Sequence, residues 1–165
     1  MRVWLRACLA GLLLAAAATS TACGPAVDLT KGLQVLDVST GWFDAGLVNG
    51  QNKLVPTILF KLKNVSDQKL TVLQVNVLFK QINDPKEWGN GFLTVVGSSG
   101  LAPGATTGTL TVKSDKGYTG SDQTRLEMLK NAHFVDAKAE VAAKYASTQW
   151  VRIGDFPITR QLITN

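Results

Sequence analysis

Apolar and polar positions alternate along much of the chain. Between residues 57 and 63, Ile58, Phe60 and Leu62 fall on one side of an extended backbone. The other side carries polar residues: Thr57, Lys61 and Lys63. A second alternation follows over residues 70–81. A period of two residues predicts strands with one face in the core and one in water. Because residues 64–69 are rich in turn-forming side chains, we predict that these two strands form a hairpin.

The segment over residues 133–146 carries two conflicting signals. Its alanine, lysine and glutamate content favours a helix, but its apolar and polar residues alternate almost without interruption. A helix would mix the two kinds of residue on every face, so the alternation predicts a strand. A last strand within residues 149–163 is expected to pair with it, and Pro157 suits an edge of the sheet or a bulge.

The remaining elements complete an all-β pattern. Further strands are predicted at residues 33–43, 92–99 and 106–114, and residues 82–91 and 116–123 have the composition of loops. Residues 124–132 favour a helix of one or two turns. About seven strands with no strand–helix alternation predict an antiparallel Ig-like β-sandwich with one short helix.

The N-terminus has the three regions of a secretory signal peptide. Arg2 and Arg6 precede an apolar run over residues 7–18, and small polar residues follow up to Cys23. This order is typical of a signal that is removed during export. The apolar run is shorter than the roughly 20 residues that cross a bilayer, which disfavours a retained transmembrane helix. Residues 1–22 are therefore predicted to be a signal peptide.

Two kinds of cleavage fit the residues before Cys23. Ser20-Thr21-Ala22 suits a general signal peptidase, whereas small residues directly before Cys23 resemble a bacterial lipobox, whose cysteine is acylated and becomes the new N-terminus. Ser20 departs from the aliphatic residue usual in a lipobox. Cys8 would be lost with the signal, which would leave Cys23 as the single thiol of an exported chain. We therefore predict that Cys23 carries a lipid.

The predicted mature chain divides into a tether and one domain. Residues 23–32 lack periodicity and are predicted to be a lipidated tether, while residues 33–165 are predicted to form the sandwich. Loss of the two signal-peptide arginines lowers the formal net charge from +5 to +3. The lysines are scattered, so nucleic acid is not an expected partner. Gly24 after Cys23 resembles the signal for the outer membrane, which in a two-membrane cell would place the domain in the periplasm.

Two segments resemble the FxLYD-type Ig-like domains of bacterial lipoproteins. These are "FKLKNVSDQKLTVLQVNVLFKQ" and, about twenty residues later, "GLAPGATTGTLTV". The resemblance covers roughly residues 53–113, and the sequence departs from the family after Phe79. It implies a binding or assembly module of the cell envelope that is not an enzyme, with a protein as its expected partner.

Catalytic and metal-binding signatures are weak. His133 is the single histidine and is predicted to lie on the surface, with no G-x-S-x-G motif in the sequence. A zinc site needs three or four suitable ligands, and residues 114–122 lack the spacing of a known calcium loop. We therefore predict no catalytic residue, no metal and no cofactor.

The aromatic residues are the better candidates for contact with a partner. Trp88, in a predicted loop, either folds back over the core or contacts a protein or a small ligand, and Tyr118 is the second candidate for such a contact. Trp42 and Trp150 are predicted to cover the core. The sequence thus predicts a lipid-anchored envelope module that acts by protein–protein contact, and the alternative is a lipoprotein that binds a small ligand or a glycan.

Overall fold

The computed structural model describes residues 25–84 and 86–163, which form two packed β-sheets. The predicted all-β sandwich is confirmed, with nine strands and two short helices instead of about seven strands and one helix. The two shortest strands, β6 and β9, account for the difference in strand number. The strands are β1 Leu33–Val48, β2 Gln51–Asn64, β3 Leu73–Gln81, β4 Glu87–Val96, β5 Leu110–Lys113, β6 Tyr118–Gly120, β7 Ala137–Lys144, β8 Val151–Pro157 and β9 Leu162–Ile163; the helices are α1 Leu29–Gly32 and α2 Arg125–Lys130.

The five-stranded sheet is built around a long hairpin of β1 and β2. Its order is β5-β2-β1-β9, and β6 also pairs with β2. Asn49 and Gly50 form the turn with φ angles of 53° and 76°. Two successive positive φ angles define the primed turn that matches the twist of a hairpin, and Asn-Gly is its preferred sequence. Thr57 is buried in central strand β2, so the prediction that it faces water is wrong.

The predicted hairpin between residues 57–63 and 70–81 is wrong, because β2 and β3 lie in different sheets. The intervening residues cross from one sheet to the other. The buried side chain of Asn64 holds this crossing: its Nδ2 donates to the carbonyl oxygens of Gln68 at 2.8 Å and Leu101 at 2.9 Å. The turn-forming residues therefore stabilise a connection between layers, a role that local sequence does not distinguish from a hairpin.

The four-stranded sheet has the order β4-β3-β7-β8. Residues 133–146 contain strand β7, as the alternation predicted, and β7 pairs antiparallel with both β3 and β8. Its inward positions are small apolar residues that are fully buried: Ala137, Ala139, Val141 and Ala143. The predicted edge strand is also confirmed, since β8 ends the sheet and Pro157 closes β8.

Several predicted boundaries shift. Strand β4 begins at Glu87, so Trp88 lies in a strand and not in the loop predicted over residues 82–91. Of the residues 106–114 that were predicted to form a strand, only Leu110–Lys113 do so, as β5. The predicted short helix is α2, and it begins with a capping box: the Thr124 side chain accepts from the Glu127 backbone, and the Glu127 side chain accepts from the Thr124 backbone.

Part of the N-terminal segment that was predicted to be a free tether is folded onto the sandwich. The predicted signal peptide and Cys23 lie outside the described residues. Of the tether predicted over residues 23–32, the last four residues fold into helix α1, with Asp28 as its N-cap. Leu29 is fully buried in the core between the sheets. Burial of this leucine overrides the lack of sequence periodicity, so the tether prediction is wrong for residues 29–32.

Candidate functional site

Four aromatic residues form one cluster that links the two sheets. The ring centroid of Trp42 lies 4.5 Å from that of Phe134 and 6.0 Å from that of Trp88, and Tyr118 lies 4.8 Å from Phe134. We call these residues the buried aromatic cluster. Trp42 is fully buried, as predicted, and its indole N–H has no hydrogen-bond partner among the described residues.

The predicted contact residues Trp88 and Tyr118 both belong to this cluster. Each is half-buried and connects to the other through Trp42 and Phe134. Trp88 also lines a shallow surface depression of about 310 Å³. The other residues of the depression are mostly charged: Gln81, Asp84, Lys86, Glu87 and Lys116. Packing between the sheets therefore accounts for the buried part of the Trp88 ring. The part that lines the depression remains available to a ligand.

A second aromatic group lies on the outer face of the four-stranded sheet. Phe92 on β4 is 58% exposed, and Trp150, directly before β8, is 41% exposed. Their rings meet edge to face with centroids 6.2 Å apart. We call Phe92 and Trp150 the outer-face pair. The prediction that Trp150 covers the core is wrong, because its ring packs against Phe92 on the solvent-exposed face of the sheet.

Strand register explains how the outer-face pair is positioned. Phe92 is aligned with Asn76 on β3, and Asn76 is aligned with Ala142 on β7. These two side chains are smaller than the rings, so the pair stands above its surroundings. The ammonium group of Lys144 lies 5.1 Å from the Trp150 ring centroid, within the range of a cation–π contact.

Basic side chains surround a single carboxylate on the same face. Glu140, on β7, accepts from Lys80 Nζ at 2.6 Å, and Lys138 Nζ and Arg152 Nη2 lie 2.9 and 3.4 Å from its other oxygen. Its side chain is only 11% exposed. Desolvation favours the neutral acid, but hydrogen bonds from the two lysines and the charge of Arg152 outweigh it. The pKa of Glu140 is therefore lowered from its ordinary value.

The outer face as a whole is positively charged. The register of β3, β7 and β8 places four cations there: Lys80, Lys138, Lys144 and Arg152. Three carboxylates lie on the same face: Glu87, which is aligned with Lys80; Glu140; and Asp155, which pairs with Arg152. The four-stranded sheet thus combines two exposed aromatic rings with an excess of positive charge.

Sequence reasoning missed the outer-face pair for a local reason. The strand preceding Phe92 has glycine at its inward positions, Gly89 and Gly91. Without side chains there, and with Leu93 directly after Phe92, the sequence shows no alternation that would point Phe92 outward. For Trp150, a sequence signal for exposure did exist. This residue comes directly before β8, the strand that Pro157 predicts to lie at an edge of the sheet.

The described residues offer little for catalysis or metal binding. His133 is exposed in the turn between α2 and β7. Within residues 25–84 and 86–163, no group of three or more histidine, cysteine, aspartate or glutamate residues could hold a metal ion. In the same ranges, no helix has the length and apolar content needed to span a bilayer.

Comparison with known proteins identifies no family. No family model and no curated protein matches the chain. A solved structure that resembles it is the X-ray structure of Northeast Structural Genomics Consortium target SoR45, with 13% sequence identity and a TM-score of 0.45. The alignment covers 79% of this chain and 88% of that one. A likeness at this level carries no argument about function.

Proposed function

We propose that this chain is a lipid-anchored module of the bacterial cell envelope that acts by contact with a protein partner. The partner would dock on the outer face of the four-stranded sheet, around Phe92 and Trp150. The lipid would be attached to Cys23 after removal of residues 1–22. In a two-membrane cell the module would face the periplasm from the outer membrane.

The observation that carries the proposal is the exposure of the outer-face pair. Phe92 and Trp150 contact each other while 58% and 41% of their surfaces remain in water. Exposed apolar side chains are common singly, but two aromatic rings in contact form a patch. Tryptophan and other aromatic residues are enriched at the centres of protein interfaces, where rigid rings bury large areas.

The charges around the pair indicate the chemistry of the partner. Glu140 is already engaged by three cations, and Asp155 by Arg152. Lys144 has its ammonium group over the Trp150 ring and forms no ion pair within the part of the chain that the structure describes. A partner with acidic residues around an apolar centre would match both features, because complementary charges speed association and fix orientation.

A pull-down from detergent-solubilised native membranes tests the docking face. The double variant Phe92→Ala/Trp150→Ala should lose the partner recovered with the wild type, since hot-spot residues each contribute about 2 kcal/mol or more, roughly 30-fold in affinity. Leu126→Ala is the matched control, because Leu126 is an apolar residue on α2 that is 59% exposed. Equal recovery of the same acidic partner by all three proteins would contradict the proposal.

The lipid anchor has a separate test. Growth with a palmitate analogue should label the wild-type chain, and the label should disappear in Cys23→Ser. Labelling that persists in the variant would place the lipid elsewhere. A chain that is exported but never labelled would contradict the anchor and leave the docking face to be judged by the pull-down.

A further inference from the structure

Residues 25–32 are fastened to the end of the sandwich that contains α1. The backbone N–H of Val27 donates to the Tyr145 hydroxyl, and Gln68 Nε2 donates to the Pro25 carbonyl oxygen at 3.0 Å. Further along, the Val65 N–H donates to the Gly32 carbonyl oxygen at 2.9 Å. Together with buried Leu29, these contacts hold the segment at both of its ends.

Residues 25–32 are closely packed against each other and against the connection after β2. A Cβ added at Gly32 would lie 2.5 Å from Val27 Cγ1 and 3.1 Å from Ser66 Cβ. Asp28 caps α1 by accepting from the Thr30 N–H at 3.0 Å. The first fastened residue is Pro25, so only Gly24 separates it from Cys23.

We infer that the α1 end of the sandwich lies directly against the headgroup surface of the bilayer. This inference rests on the proposed lipid at Cys23. An extended chain advances at most about 3.6 Å per residue, so Pro25 would stand within roughly 7 Å of the acylated residue. A free tether over residues 23–32 would instead allow separations of about 30 Å.

The side chains at this end suit a lipid headgroup region. Val65 is 46% exposed, and it follows β2 on the connection that contacts Gly32. Lys31, on α1, and Lys69, four residues after Val65, are exposed, as are the carboxylates Asp28 and Asp67, and Lys31 pairs with Asp28. Apolar side chains enter the interface, while lysines extend their ammonium groups towards lipid phosphates. The Val65 connection is thus expected to contact the membrane surface.

The turn of the β1–β2 hairpin would lie far from the membrane. β1 has 16 residues and runs from α1 to this turn. At about 3.3 Å per residue, the strand spans roughly 50 Å. Leu47, close to the turn, is 69% exposed and offers an apolar position at the opposite end of the sandwich.

Depth measurements in vesicles test this orientation. The full chain is produced with its signal, purified in lipidated form and reconstituted into phosphatidylcholine vesicles that contain a headgroup spin label. A thiol-reactive fluorophore is attached in Val65→Cys or in Leu47→Cys. Quenching is expected to be at least severalfold stronger at position 65. Equal quenching at the two positions would overturn the inference.

An insertion variant provides the control. A flexible Gly/Ser linker of about 12 residues between Gly24 and Pro25 adds roughly 20 Å of root-mean-square length. Quenching at position 65 should then fall towards that at position 47. Unchanged quenching would show that the α1 end binds the membrane through its own side chains, which would overturn the short attachment as the cause of the orientation.

The number of labels separates this inference from the anchor. If Cys23 is acylated, its sulfur is blocked and each variant takes one fluorophore, at the introduced cysteine. Two fluorophores per chain would show that Cys23 is free, which would overturn both the anchor and the orientation. One fluorophore with equal quenching would overturn the orientation alone.

Discussion

The two aromatic groups of this sandwich have opposite environments. In the buried aromatic cluster, Trp42 is enclosed by Trp88 and Phe134, and its rings fill space between the sheets. In the outer-face pair, Phe92 and Trp150 touch each other above a sheet and remain largely in water. Residue type is the same, so burial distinguishes the roles: the first group stabilises the fold, and the second leaves apolar surface for a partner.

The largest expected difference between the groups is in stability. Trp42→Ala removes a fully buried ring and should lower the free energy of unfolding by about 3–5 kcal/mol. Phe92→Ala, the matched aromatic truncation, should change it by no more than about 0.5 kcal/mol, as is usual for exposed positions. Urea unfolding followed by circular dichroism measures both. Similar losses in the two variants would show that the outer-face pair also stabilises the sandwich.

The next effect concerns the strand that carries Phe92. A Cβ at Gly91 would lie 2.5 Å from Val112 Cγ1 and 2.6 Å from the Lys113 carbonyl oxygen, so Gly91→Ala forces β4 and β5 apart. We expect a loss of about 1–3 kcal/mol in the free energy of unfolding, the usual cost of overpacking. Gly97→Ala is the control, because nothing lies within 4 Å of its Cβ position.

The outcome at Gly91 bears on the direction of Phe92. A destabilised Gly91→Ala and an unaffected Gly97→Ala would support the close approach of β4 and β5, which places Gly91 inward and Phe92 outward. If both variants were as stable as the wild type in urea, the inward position of Gly91 would be wrong.

Sequence patterns predicted individual strands better than their neighbours. Alternation identified β2, β3 and β7, because a strand with one buried face has apolar and polar residues at alternating positions. It did not show that β2 pairs with β1 and β3 with β7, since any partner strand satisfies the same pattern. The Asn49-Gly50 turn was the local signal for the true hairpin.

The candidate site was harder to predict for the same reason. Trp88 and Tyr118 stood out because they were assigned to loops, but their contacts come from residues distant in sequence, such as Trp42 and Phe134. Phe92 lay in a predicted strand, and two glycines obscured which face it occupied. Exposure of a single ring depends on sheet order, which composition and spacing do not encode.

The smallest predicted effect concerns the charges beside the outer-face pair. Glu140→Gln removes the carboxylate shared by Lys80, Lys138 and Arg152, and should lower the free energy of unfolding by about 1 kcal/mol near neutral pH, as expected for a partly exposed ion-pair network. The pKa of Glu140 is lowered in the folded protein from its ordinary value of 4.5. The stability that ionised Glu140 adds to the folded protein is therefore fully present above pH 4.5. It is lost as the pH falls through the lowered folded-state pKa.

Urea unfolding at a series of pH values checks the sign of this effect. The difference between wild type and Glu140→Gln should be largest at neutral pH and shrink on acidification, because protonation removes the same charge from the wild type. Other carboxylates titrate in both proteins and cancel in the difference. Glu87→Gln, an exposed carboxylate on β4, should differ from the wild type by no more than about 0.5 kcal/mol. A difference for Glu140→Gln that grows towards acid would mean that burial, and not the three cations, controls the protonation of this carboxylate.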